Sequence, residues 1–201
     1  MFTATLSVRS LLLFLALAGL SLLTAMESGA IDVTETSDWP VPLPGYSLRQ
    51  ALNAANEDTQ TDVINIPEGI YTLNKSDADE DNNLDGDLDV KNSVYIVGKG
   101  PEKTFIDGSG LTRVLHIVQT DVSVGLVNLT IQNGKVTNNH NQPHGAGILN
   151  KGSLSLYNVG IKNNTNAADN NFGGGIYNDG VLTIINATLS GNLALSGGAI
   201  Y

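Results

Sequence analysis

The chain has 201 residues, no cysteine, and a formal net charge of −10 at pH 7 with a pI of about 4.5. The lack of cysteine excludes a disulfide framework, a thiolate metal site and a catalytic thiol. The negative charge disfavours nucleic acid as a partner, and acidic polysaccharides as well unless a divalent cation bridges the two surfaces. With 22 glycines and 5% aromatic residues, the composition suits a stack of small residues better than one large core.

The first 30 residues are organised like a secretory signal. Arg9 is the lone early positive charge, an apolar stretch follows over residues 11–23, and small residues lead up to Ala30. Such a stretch is too short to span a bilayer comfortably. We predict a signal peptide over residues 1–30, cleaved after Ala30, and a secreted or cell-surface protein whose mature chain has no membrane span. An uncleaved anchor is the alternative.

Residues 31–56 are predicted to form a strand, a proline-rich link and a helix. Ser47 and Gln50 stand at the two ends of a capping box. Apolar residues then recur at helical spacing, at Leu48, Ala51, Leu52 and Ala55. We expect this helix to cover the first coil of the following β-structure, because an uncovered coil would expose its core and its strand edges.

Short apolar runs follow the helix, with glycines between them. They alternate with a period of two and have the length of strands. The predicted strands are at residues 63–66, 70–73, 94–97, 104–106, 114–117 and 122–126.

One pattern is then written three times, beginning with asparagine and alternating apolar with polar residues, at 128–134, 158–164 and 186–192. Each copy leads into a glycine cluster and an apolar pair. Self-similarity at about 28 residues marks a repeat architecture. Period-two runs broken by glycine and asparagine are typical of short strands joined by tight turns, and no 3.6-residue period is present.

These features predict an all-β, right-handed parallel β-helix over residues 57–201, with a short N-terminal capping helix. Equivalent residues of successive coils should stack about 4.8 Å apart. Buried asparagine amides should therefore form two columns, one of Asn128, Asn158 and Asn186 and one of Asn150 and Asn178. The last copy stops at Tyr201 in mid-coil, which favours a fragment of a longer protein over an end covered by a partner.

The N-terminal part also resembles a known family. The motif Tyr-Ser-Leu-Arg-Gln at residues 46–50 resembles the CSLREA domain of secreted bacterial proteins, with Tyr46 and Gln50 in place of the motif's cysteine and glutamate. Residues 86–90 and 104–108 look like later segments of that family. The glycine-rich repeats are similar to those of polymorphic outer-membrane-protein passengers. The resemblance implies a pectate-lyase-like β-helix on an exported, often surface-attached protein, and it implies no catalytic residues.

The sharpest local feature is an acidic stretch that ends at residue 89. Oxygen-bearing residues alternate there in the manner of a calcium loop, with Gly86 at the sharp bend. The closing glutamate of such a loop is replaced by Asn92, and no helical pattern flanks it. We predict Ca²⁺ binding by Asp81, Asn83, Asp85, Asp87 and Asp89. A solvated acidic loop is the alternative.

Two functions remain open. After residue 30 the chain has only two arginines, Arg49, expected to pair with surface carboxylates, and Arg113, so cationic bases for a lyase are few. His116 is expected to be structural, and His140 with His144 makes a weak metal site. The leading prediction is a non-catalytic scaffold or adhesin-like surface protein that binds an extracellular glycan or a cell-surface partner. The alternative is a carbohydrate-active enzyme, a calcium-assisted polysaccharide lyase of pectate type.

Overall fold

The chain winds into a parallel β-solenoid of about 5 turns with a single helix. The computed structural model describes residues 30–38, 45–57, 59–74, 81–169 and 171–201. The parallel β-helix with a short helix ahead of it confirms the predicted fold class. The predicted signal peptide lies outside the described residues except for Ala30, and the prolines of the predicted link lie outside them as well.

The described residues form fifteen strands, β1 to β15, and one helix, α1. The helix spans Leu48–Ala55. The strands, in order, are β1 (Ala30–Asp32), β2 (Asp62–Asn65), β3 (Gly69–Thr72), β4 (Leu88–Val90), β5 (Val94–Val97), β6 (Thr104–Asp107), β7 (Leu115–Ile117), β8 (Ser123–Gln132), β9 (Lys135–Val136), β10 (Ile148–Asn150), β11 (Ser153–Lys162), β12 (Thr165–Asn166), β13 (Ile176–Asn178), β14 (Val181–Ile185) and β15 (Thr188–Ser190).

The strands make three parallel sheets that run along the solenoid. The large sheet has the order β1-β2-β5-β8-β11-β14, and it also includes β3, β6 and β15. The small sheet has the order β13-β10-β7-β4, and β9 pairs with β12 in a third sheet of two strands. Every strand pair is parallel, so each coil lies in register on the one before it.

The core consists of columns of apolar side chains, one from each coil. One column of the large sheet contains Ile64, Ile96, Leu126, Leu156 and Ile184. Another contains Tyr71, Ile106, Ile131, Ile161 and Leu189. Burying one such aliphatic side chain stabilises the fold by about 1.5–3 kcal/mol. At the last coil the first column reaches solvent, since Ile184 is 39% exposed whereas Leu156 is 1% exposed.

Helix α1 covers the start of this core, as predicted. The Ser47 hydroxyl accepts a hydrogen bond from Gln50 N at 3.2 Å, and the Gln50 side chain accepts one from Ser47 N at 3.0 Å. The apolar stripe of α1 is buried in the core cluster. No helix in the described part of the chain is long and apolar enough to cross a membrane.

Both asparagine columns are confirmed. Asn158 Nδ2 donates to Asn128 Oδ1 at 2.8 Å, and Asn186 Nδ2 donates to Asn158 Oδ1 at 3.0 Å. Asn150 Nδ2 donates to Asn178 Oδ1 at 2.6 Å. The prediction of buried amides is wrong for the first column, whose side chains are half-buried or exposed because they stand at an outer corner of the coil.

The first column also determines where the strands bend. Asn128, Asn158 and Asn186 have φ values of 54°, 53° and 52°, in the left-handed region that asparagine tolerates better than most residues. A left-handed residue interrupts the strict alternation of a strand. Leu156 before Asn158 and Val159 after it, each buried in the core, are therefore three positions apart rather than two or four.

Two substitutions of Asn158 separate the contribution of its amide hydrogen bonds from that of its left-handed backbone conformation. Asn158→Ala should lower the free energy of unfolding by about 2–3 kcal/mol, because it loses both amide hydrogen bonds and leaves alanine in a left-handed conformation. Asn158→Gly should lower it by about 1–2 kcal/mol, since glycine adopts that conformation freely. Urea unfolding of both variants measures the difference. Equal losses would contradict a backbone role for the asparagine.

Candidate functional site

The predicted calcium loop ends in a strand and folds over the outer face of the small sheet. Asp89 is the middle residue of β4 and lies in register with His116, the middle residue of β7. Leu88 and Val90 flank Asp89 and are part of the core, as are the two residues that flank His116. Asp89 and His116 therefore point to the outer face. They are nevertheless 0% and 2% exposed. The sequence did not predict β4, because Asp87 and Asp89 belong to the acidic run interpreted as a calcium loop.

Arg49 reaches from α1 into the acidic loop. Its Nη1 donates to Asn83 Oδ1 at 3.2 Å, Asp85 O at 3.2 Å and Asp87 O at 2.8 Å, and its Nη2 donates to Gly86 O at 2.7 Å. Four loop oxygens therefore converge on one guanidinium, whose fork of donors suits several acceptors at once. The cation that these loop oxygens bind is therefore the side chain of Arg49.

Arg49 is also held by a buried carboxylate. Its Nε lies 2.7 Å from Asp38 Oδ1, and its Nη2 donates to Asp38 Oδ2 at 3.1 Å. Asp38 and Arg49 are each 5% exposed. The expectation that Arg49 pairs with surface carboxylates is thus wrong about the location, because the acidic loop closes over the helix and buries the pair.

Arg113, which precedes β7, holds the other side of the loop. Its Nη1 donates to Asp87 Oδ2 at 2.8 Å, and its Nη2 and Nε donate to Gln142 O at 2.6 Å and His144 O at 3.2 Å. Arg113 is 2% exposed. Both described arginines therefore bind backbone carbonyls and a carboxylate inside the protein.

Three potential metal ligands meet beneath the loop. His116 Nδ1 lies 3.3 Å from Asp81 Oδ1 and 3.3 Å from Asp89 Oδ1, and the three donor atoms all lie within 4.8 Å of one another. Burial, and after it the positive charge of Arg113, lowers the pKa of His116 to about 4, although Asp87 and Asp81 act to raise it. The imidazole is therefore neutral at neutral pH, and its contacts with the carboxylates are not ion pairs.

The structure brings together two of the five residues predicted to bind calcium. Asp81 and Asp89 converge, whereas Asp87 pairs with Arg113. The Asn83 side chain bonds to Arg49 and to the backbone of Asp89, and Asp85 gives its carbonyl oxygen to Arg49. Calcium binding by all five stays a prediction. The sequence predicts a structural role for His116, and no local signal places it beside Asp89, because only the register of β4 on β7 does so.

The other two histidines lie apart from this cluster. His144 stacks on Tyr177 with ring centroids 4.7 Å apart, and Tyr177 stacks on Tyr201 at 5.5 Å. Burial lowers the pKa of His144. His140 Nδ1 contacts the Thr137 carbonyl at 3.3 Å. His144, Tyr177 and Tyr201 thus form an aromatic column with residues from successive coils.

A second polar feature is an open groove of about 650 Å³ on the large and two-stranded sheets. Its lining residues are Thr72, Asp107, Ser109, Gly110, Asn133, Gly134, Lys135, Asn163 and Thr165. Asp107 Oδ2 accepts hydrogen bonds from Gln132 Nε2 at 2.8 Å and from Asn133 Nδ2 at 2.7 Å, which fixes the carboxylate at the groove wall.

The groove therefore draws polar side chains from four successive coils. Thr72 comes from β3 and Asp107 from β6, whereas Asn133 follows β8 and Asn163 follows β11, and these four strands pair in sequence. Since neighbouring strands are about 4.8 Å apart, four coils span about 14 Å. Side chains held at this regular spacing can contact an extended ligand at several points.

Fold and register define the chain as a parallel β-solenoid with an N-terminal helical cap. No family model, curated protein or solved structure matches it. The resemblance to the CSLREA domain stays a prediction.

Proposed function

We propose that the chain is an exported, non-catalytic β-solenoid scaffold whose open groove binds a glycan. The observation that carries the proposal is the groove itself, where hydroxyl, amide, carboxylate and ammonium groups from four coils line one continuous surface. Sugars present hydroxyl groups along their length, and such groups need both donors and acceptors. The organisation of residues 1–30 as a signal, and the resemblance to secreted and surface-attached proteins, support export.

The positions of the two arginines favour a scaffold over a lyase. A lyase acting on uronic acids needs a basic group beside the sugar and a cation or basic group for its carboxylate. Arg49 and Arg113 are buried and bonded to Asp38 and Asp87, which makes both a poor base for a polymer in solvent. They hold the acidic loop on the solenoid instead.

The charge of the protein favours an uncharged glycan. The net charge is −10, and the groove lining contributes one carboxylate, Asp107, and one ammonium group, Lys135. A polyanion would be repelled by the surface as a whole, whereas a neutral oligosaccharide would not. Neutral β-linked glucans, galactans and chitin oligomers are therefore the first ligands to test, with uronans as the charged comparison.

Isothermal titration calorimetry of the full chain against these oligosaccharides tests the proposal. We expect saturable binding of a neutral oligosaccharide, weakened at least about tenfold in the double variant Asp107→Asn/Lys135→Ala, because this variant removes the one carboxylate and the one ammonium group of the groove lining. Lys103→Ala is the matched control, because Lys103 is exposed and lies outside the groove lining. It should bind like the unchanged protein.

Two outcomes would contradict the proposal. One is that no oligosaccharide binds, or that the double variant binds as well as the unchanged protein. The other is the growth of ultraviolet absorbance from unsaturated sugar ends when uronans are incubated with the protein and calcium. That result would replace the scaffold by the lyase.

A further inference from the structure

The cluster of Asp81, Asp89 and His116 has the composition of a metal site, and the two distances from His116 to the carboxylates suit one. Asp81 comes from the acidic loop, Asp89 from β4 and His116 from β7, so three segments distant in sequence each supply one donor. Donors about 2.0–2.1 Å from a tetrahedral ion lie about 3.3–3.4 Å from one another. The two distances from His116 Nδ1 to the carboxylate oxygens are both 3.3 Å.

His116 presents one ring nitrogen, Nδ1, to the two carboxylates. Its side chain is 2% exposed, and its Nε2 has no hydrogen-bond partner among the described residues. In the same part of the chain, the polar contacts of Nδ1 are with the oxygens of Asp81 and Asp89. Imidazole is the commonest metal ligand in proteins, and the two carboxylate oxygens beside Nδ1 supply further donors for a shared cation.

The surroundings orient the donors and leave a path to solvent. Asp89 Oδ2 accepts a hydrogen bond from Asn83 N at 3.0 Å, and Asp89 Oδ1 is the atom nearest His116. Bonds of this kind fix the direction of a metal-binding carboxylate. The Asp81 side chain is 53% exposed, so one donor of the cluster lies at the protein surface.

The donor set selects the kind of metal. Calcium takes six to eight oxygen ligands at about 2.3–2.6 Å, whereas one imidazole nitrogen with two carboxylate oxygens suits Zn²⁺ and related transition metals. We propose that Asp81, Asp89 and His116 bind a divalent transition metal of the Zn²⁺ type, with water completing its coordination, and that this ion fastens the acidic loop to the small sheet. The site goes beyond the proposed function and lies on a different sheet from the groove.

Calorimetric titration of the EDTA-treated full chain with ZnCl₂, CaCl₂ and MgCl₂ tests the inference. We expect one Zn²⁺ per chain, bound more tightly than Ca²⁺ or Mg²⁺, together with a rise in Tm. Asp81→Asn should weaken Zn²⁺ binding at least about tenfold, because it removes a ligand charge. Asp81 is exposed at the surface, so this variant should fold even where a substitution of buried His116 does not.

Asp85→Asn is the matched control, since Asp85 lies in the same loop but outside the three-donor cluster. It should leave Zn²⁺ affinity unchanged. Co²⁺ used in place of Zn²⁺ should give a visible absorption band that Asp81→Asn alters and Asp85→Asn does not. A chain that binds no Zn²⁺, an Asp81→Asn variant that binds it normally, or preferential Ca²⁺ binding that depends on Asp85 would overturn the proposal. Glycan titrations of the EDTA-treated protein report on the groove separately.

Discussion

Arg49→Met is expected to lower the free energy of unfolding by about 3–5 kcal/mol, because it leaves a buried carboxylate without its cation. Asp38 is 5% exposed, and its Oδ1 lies 2.7 Å from Arg49 Nε. The substitution also removes the donors to the carbonyl oxygens of Asp85, Gly86 and Asp87. Methionine fills a similar volume, so the loss measures the charge and the hydrogen bonds rather than a cavity.

Urea unfolding measures the change, with midpoint and slope compared between variants. Arg49→Met/Asp38→Asn should recover part of the loss, since the double variant no longer buries an unpaired charge. Lys103→Met is the control for removing an exposed cation. Its ion pair with Glu68 has an N–O distance of 3.7 Å between side chains 60% and 69% exposed, and such pairs contribute about 0–1 kcal/mol. A similar small loss for Arg49→Met would show that the loop is held by something else.

Gly134→Ala is expected to lower the free energy of unfolding by about 3 kcal/mol or more, because the new methyl group meets the backbone of its own coil and a side chain of the next coil. A Cβ at position 134 would lie 2.0 Å from Ala146 O and 2.9 Å from Asn164 Oδ1. Gly134 N also donates to Asn164 Oδ1 at 2.8 Å. Ala146 lies just before β10 of the same coil and is hydrogen-bonded to the coils on either side, so it cannot move away without breaking those bonds.

Gly110→Ala separates this contact from the effect of backbone conformation. Gly110 has a φ of +66°, and a Cβ there would meet nothing within 4 Å. Its replacement should cost about 1–2 kcal/mol, the strain of a left-handed alanine. Thermal or urea unfolding of the two alanine variants gives the comparison. If Gly134→Ala were as stable as Gly110→Ala, the backbone around Gly134 would be less closely packed than the contact at Ala146 requires.

Much of the fold could be predicted because it is written in local and periodic patterns. The capping box at Ser47 and the stripe beginning at Leu48 are contained within a few residues, and they predicted α1. The repeats predicted the stack, since residues one period apart must fall in the same column once the strands are parallel. The bonds linking Asn128, Asn158 and Asn186 follow from that stacking. The exposure of these asparagines does not follow from the stacking, because the period does not say which corners of a coil face solvent.

The candidate sites depend on contacts between segments far apart in the sequence. The alternating oxygens near Asp85 predicted a cation at the acidic loop. In the structure several of these oxygens bind Arg49. The sequence does not show this contact, because Arg49 is far from the loop along the chain. His116 faces Asp89 only because β7 pairs with β4 in one register, and a shift by one residue would turn either side chain to the other face. The repeats alone are enough to specify the solenoid and its columns. Which carboxylates meet an arginine and which meet a histidine depends on strand register and on the course of the loop over the sheet, because these bring the groups together.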